Sequence, residues 1–117
     1  MSIRERIAKI QKSLRDGALT PDLTRESLVV LTALLGNVGD ELREADVAYK
    51  HVLRAAFETE GKANRARLVA DTSPEYERMR TAKDTERLVQ QMIVSCRAYL
   101  RSLDEEMRLS GGKYGAA

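Results

Sequence analysis

The chain has 117 residues, 43% hydrophobic and 32% charged, with a formal net charge of +2, which fits one globular or coiled-coil domain and excludes a disordered chain. Aromatic residues make up only 4% and tryptophan is absent, so a core must be built from Leu, Ile, Val, Met and Ala, as helix-on-helix packing does and sandwiches or nucleotide-binding sheets ordinarily do not. The single cysteine, Cys96, excludes an intramolecular disulfide, and no charged start leads into an apolar run of signal-peptide type, so a cytoplasmic location is expected.

The first element is marked by Ile3, Ile7, Ile10 and Leu14. Their three- and four-residue steps predict a short amphipathic helix over 2–16, stopped at Gly17. Thr20-Pro21-Asp22 then combines an N-cap hydroxyl, a first-turn proline and an acid favoured by the helix dipole, so a second helix starts at Pro21. Its apolar seam runs through Leu28, Leu31, Leu35, Val38, Leu42, Ala45, Tyr49, Val52 and Ala56, and continues in phase through Thr59, Ala63, Ala66 and Ala70. The helix is expected over 21–60, with an extension to 71 left open. The most apolar stretch, "LVVLTALLGNV", is interrupted by Thr32 and Gly36 and is too short to cross a bilayer. Gly36 and Gly39 each cost about 1 kcal/mol relative to Ala inside a helix, so a close helix approach or a mild kink is expected there. Gly61 is the more natural break, because the seam beyond it falls to alanine.

Ser73-Pro74-Glu75 repeats the start signal. The third long seam, Met79, Ala82, Glu86, Val89, Ile93, Cys96, Leu100, Leu103 and Met107, predicts a helix over 74–109, closed by Gly111-Gly112, with 111–117 as a flexible Gly-rich tail.

These elements predict an all-α fold: a long antiparallel helical hairpin with a short N-terminal helix and coiled-coil-like packing. A turn at Asp71-Thr72-Ser73 would pair residues whose numbers add to about 145, setting Leu109 beside Gly36 and laying the first helix over 21–33. Most of such a chain is only two helices thick. A second apolar stripe, with Val30 and Ala48 among it, would then lack cover. Leu34, Val47, Leu53, Phe57, Leu88, Met92 and Tyr99 are the expected interface of a dimer or higher oligomer that completes a helical bundle.

Signals for chemistry are few. His51 is the only histidine and has no acidic residue three or four positions away, while Cys96 sits on the seam between Ile93 and Leu100 and reads as a small core residue. Neither metal-ligand spacing nor paired cysteines occur, and the "SGGKYG" tail follows a helix where a phosphate loop follows a strand. A non-enzymatic protein without cofactor, metal or small-molecule substrate is expected. Charge is uneven, about +3 over 1–16, −4 over 17–49 and +4 over 50–101. Lys62, Arg65, Arg67, Arg78, Arg80, Lys83 and Arg87 form a candidate nucleic-acid cluster, interleaved with acids; Arg54-Glu58-Lys62 and Arg80-Asp84 stand at intrahelical pairing distance.

From Tyr49 onward the chain resembles small uncharacterised helical proteins encoded by bacteriophages and prophages. The matching residues are Tyr49, Ala55, Ala56, Gly61, Arg65, Ala70, Thr72, Leu100 to Leu103, Leu109 and Ser110. The resemblance implies a phage protein acting in an infected bacterium, often encoded among DNA-replication and recombination genes, and supplies no catalytic residues. The expected function is therefore an oligomeric helical protein that binds another protein and supports phage DNA metabolism. The alternatives are a DNA- or RNA-binding accessory protein, an inhibitor of a host enzyme or defence complex using the acidic "DELREAD" segment, and a virion assembly component.

Overall fold

The computed structural model describes residues 2–16 and 20–115, with side chains through Ser110. Among the described residues the protein is all-α, with four helices and no strand: α1 (Ile3–Asp16), α2 (Pro21–Glu60), α3 (Ala63–Asp71) and α4 (Pro74–Gly115). The expected stop at Gly17 lies outside the described residues.

The helix starts follow from side-chain capping. Thr20 Oγ1 accepts the Leu23 amide at 3.1 Å, and Ser73 Oγ accepts the Tyr76 amide at 3.2 Å. Each satisfies one of the first-turn amides that a helix leaves without a backbone partner. At α1 the cap is reciprocal: Ser2 Oγ accepts the Glu5 amide at 3.2 Å, while the Ser2 amide donates to the Glu5 carboxylate at 3.4 Å. This is a capping box, written in the sequence as Ser2-x-x-Glu5.

The second helix ends at Glu60 and does not continue to residue 71. Gly61 adopts φ +69, a left-handed conformation that costs other residues about 1–2 kcal/mol, and its amide donates to the Phe57 carbonyl at 3.0 Å. The chain reverses there into the nine-residue α3. Ser73 links α3 to α4, donating through its amide to Ala70 O at 3.1 Å and through its hydroxyl to the same carbonyl.

Inserting α3 changes the register expected of a single turn at 71–73. Ala45 packs with Met79 and Ala82, and Glu41 pairs with Arg78, whereas the simple hairpin would have set Glu41 opposite Asp104. Gly36 consequently loses its expected close neighbour: a Cβ added at Gly36 or Gly39 would meet nothing within 4 Å, and Leu109 is 75% exposed. At the far end α4 runs helical to Gly115, past the expected stop at Gly111-Gly112. Glycine keeps both backbone hydrogen-bonding groups, so it weakens a helix without necessarily ending it.

The chain forms two compact units. In one, α1 packs with α2 through Leu34 and with α4 from Val89 onward; its buried side chains are Ile7, Thr24, Ser27, Leu31, Leu34, Val89, Met92, Ile93 and Cys96. Thr24 is fully buried, and its hydroxyl donates to the Thr20 carbonyl at 2.7 Å, which satisfies a group that would otherwise be costly to bury. In the other, residues 35–88, α3 accompanies parts of α2 and α4. Its interior is mainly alanine: Ala45, Ala56, Ala66, Ala70 and Ala82, with Val38, Met79 and Thr85.

Candidate functional site

Leu34 and Met92, expected on an outward stripe, are 1% and 9% exposed and belong to the core. The expectation assumed a cross-section two helices thick. In the unit that holds both residues α1 supplies a third helix, and its Ile7 is buried with them. Leu53, Leu88 and Tyr99 are half-buried. Of the seven expected interface residues only Val47 and Phe57 are exposed, and Val30 lies outside as well.

Residues 35–88 show an inversion of size. Small side chains fill the interior while Val47, Phe57, Leu68 and Val69 are exposed. In α3 the inversion is sharpest: Ala66 and Ala70 are fully buried, and Leu68 is 67% exposed. The seam through Ala66 and Ala70 carries this signal, because helical periodicity identifies these smaller residues as the inward face.

The Tyr49 hydroxyl donates to the Asp71 carboxylate, and the Tyr49 ring lies 5.4 Å from that of Tyr76. Three helices of this unit meet at these residues. The hydrogen bond to Asp71, with a smaller part from desolvation, pushes Tyr49 up to about 12; the nearby positive charge of Arg67 acts in the opposite sense. Asp71 keeps its negative charge in this bond, because the tyrosine that donates to it is neutral.

Arg78, expected as a nucleic-acid contact, is occupied within the chain. Its Nε and Nη2 donate to the two Glu41 carboxylate oxygens at 2.8 and 3.1 Å, and Nη2 lies 3.6 Å from Glu44. This bidentate fork holds the Glu41 carboxyl below the usual range. The other six cluster members, Lys62, Arg65, Arg67, Arg80, Lys83 and Arg87, are exposed. None has an ion pair among the described residues; Glu58 pairs with Arg54 at 3.8 Å, but the expected Glu58–Lys62 and Arg80–Asp84 pairs are not formed. Arg80, Lys83 and Arg87 fall at i, i+3 and i+7, one face of α4.

His51 is exposed, and burial pushes the Cys96 thiol up, away from the reactive thiolate. Among the described residues no group of three or more His, Cys, Asp and Glu side chains is placed to hold a metal ion, and no helix is long and apolar enough to cross a membrane. A shallow groove of about 190 Å³ lies between α1 and α2. Comparison with family models, curated proteins and solved structures matches the chain to none of them.

Proposed function

We propose that this protein is a non-catalytic helical interaction module whose partner docks on the exposed apolar residues of the 35–88 unit. The observation carrying this reading is the size inversion, with alanines inside and Val47, Phe57, Leu68 and Val69 outside. Large apolar side chains held in water gain free energy when a partner covers them, and an exposed aromatic such as Phe57 is a residue type enriched in binding hot spots. In this reading α2 and α4 pack in an antiparallel, coiled-coil-like manner. A second copy is the simplest partner, as two-fold association is the commonest, and a phage-encoded role fits the resemblance of residues 49–110.

The test is a Phe57→Asp/Leu68→Asp double variant. Both positions are exposed, so helix content by circular dichroism should be unchanged, while self-association by sedimentation, or retention of a partner from the native cell, should be lost. A wild-type chain that sediments as a monomer and retains no partner dependent on Phe57 and Leu68 would overturn the reading.

A second reading is favoured by the unpaired cations. In it the basic face of α4 and α3 contacts nucleic-acid phosphates, with affinity that falls steeply with salt. Replacing Arg65, Arg67, Arg80, Lys83 and Arg87 together with Ala should then abolish binding to single- and double-stranded DNA. No binding by the wild-type chain at low salt would remove this alternative.

A further inference from the structure

We infer that the groove between α1 and α2 is a docking site for an acidic peptide segment carrying an apolar anchor, supplied by a partner protein. This rests on the protein-interaction reading and gives the partner's chemistry at a surface distinct from that of residues 35–88. The floor of the groove is apolar, formed by Ile10 of α1 and Leu23 and Val30 of α2. Ile10 and Leu23 are half-buried and Val30 is exposed, so the floor is open to an incoming side chain. At about 190 Å³ it is smaller than the roughly 300–1,000 Å³ of small-molecule and cofactor pockets, and suits one or two side chains of a peptide.

Charge selects the peptide. Helix α1 carries Arg4, Arg6, Lys9, Lys12 and Arg15 against Glu5 and Asp16. All five cations are exposed, and none has a side-chain hydrogen bond or ion pair among the described residues. Lys9 lines the groove, and Arg6, three residues before it, lies on the same side of the helix as Lys9, Ile10 and Ser13. Arg6 and Lys9 therefore make the groove side of α1 positive, while Arg4, Lys12 and Arg15 fall on its other faces. Glu26 on the opposite wall disfavours a continuous polyanion there, and nucleic acid would leave the apolar floor uncovered. A segment with carboxylates turned to α1 and away from Glu26, and with a leucine-like anchor, complements the α1 wall and the floor, as in helix-in-groove recognition.

The experiment titrates the full chain with a fluorescent Glu-rich helical peptide bearing leucines at three- and four-residue spacing, its leucine-to-serine twin, and a single-stranded DNA oligonucleotide. The leucine peptide should bind at least tenfold more tightly than its twin, with amide shifts confined to residues 6–13 and 23–30. Arg6→Glu/Lys9→Glu and, separately, Val30→Asp should each weaken binding at least tenfold. All three positions are exposed, so an unchanged thermal melt certifies the fold. Equal binding of the twin, preferential DNA binding, shifts elsewhere, or no binding would each overturn the groove assignment. If those failures coincide with partner or self-association that still depends on Phe57 and Leu68, the interaction reading survives without the groove.

Discussion

Gly36 and Gly39 sit inside α2 with open space where a Cβ would go and no positive φ. Their flexibility is a loss without a structural return, so Gly36→Ala and Gly39→Ala should each stabilise the protein by about 0.5–1 kcal/mol. A rise in the urea midpoint at unchanged m-value would show it. Gly61→Ala should act in the opposite direction, by about 1–2 kcal/mol, because φ +69 forces a Cβ into the left-handed region. Tyr49 offers a residue-level test by pH. Its hydroxyl is pushed up to about 12 by Asp71, above the ordinary value near 10, so the fold favours the neutral form. The resulting stabilisation is complete below about pH 10 and lost between about pH 10 and 12. In Asp71→Ala, tyrosinate absorbance should show one tyrosine ionising nearer its ordinary value, and the alkaline loss of stability should shrink. Superimposable titrations of the two proteins would refute this role for Asp71.

Among the helices, those announced by local chemistry were legible from sequence. Thr20-Pro21 and Ser73-Pro74 name hydroxyl caps, and both hydroxyls accept the expected first-turn amide. The cap at Ser2 was equally readable from Ser2-x-x-Glu5, a short signal overshadowed by the isoleucine periodicity that follows it. Helix α3 was harder to see, because Ala63, Ala66 and Ala70 continue the phase of α2, and periodicity does not separate one helix from two joined by a left-handed glycine. That omission shifted the α2–α4 register and removed the supposed reason for Gly36. The register that did form is tied by the Arg78 fork onto Glu41. Glu41 is held below the usual carboxylate range chiefly by its hydrogen bond to Arg78, so the pair stabilises above that range and loses its contribution as pH falls through the folded-state value. A double-mutant cycle of Arg78→Ala and Glu41→Gln should give a favourable coupling at neutral pH, kept modest by exposure to solvent, and none in acid. A coupling independent of pH would show that charge is not what joins them.

For the molecule as a whole, the all-helical class was legible because sparse aromatics and long seams allow little else, whereas the distribution of apolar cover was not. Counting stripes on two helices made Leu34 and Met92 surplus; both are buried in the unit that includes α1, and the residues still in water include Leu68 and Val69, which the two-stripe count passed over. The groove beside α1 also escaped a reading that treated α1 only as cover. This division gives a prediction that separates core from surface. Leu34→Ala and Met92→Ala remove side chains that are 1% and 9% exposed, and each should cost about 2–5 kcal/mol, the range for emptying a core position. Val47→Asp and Leu68→Asp alter side chains that are 53% and 67% exposed, and should leave the stability of the isolated chain within about 0.5 kcal/mol while disturbing any assembly formed there. Had Leu34 and Met92 lain at an interface between copies, the cost of their substitution would grow with protein concentration, since association adds to stability by mass action. Denaturation of both variants across a wide concentration range decides between the two: concentration-independent losses place these residues in the core of a single chain, and losses that fade on dilution place them between chains.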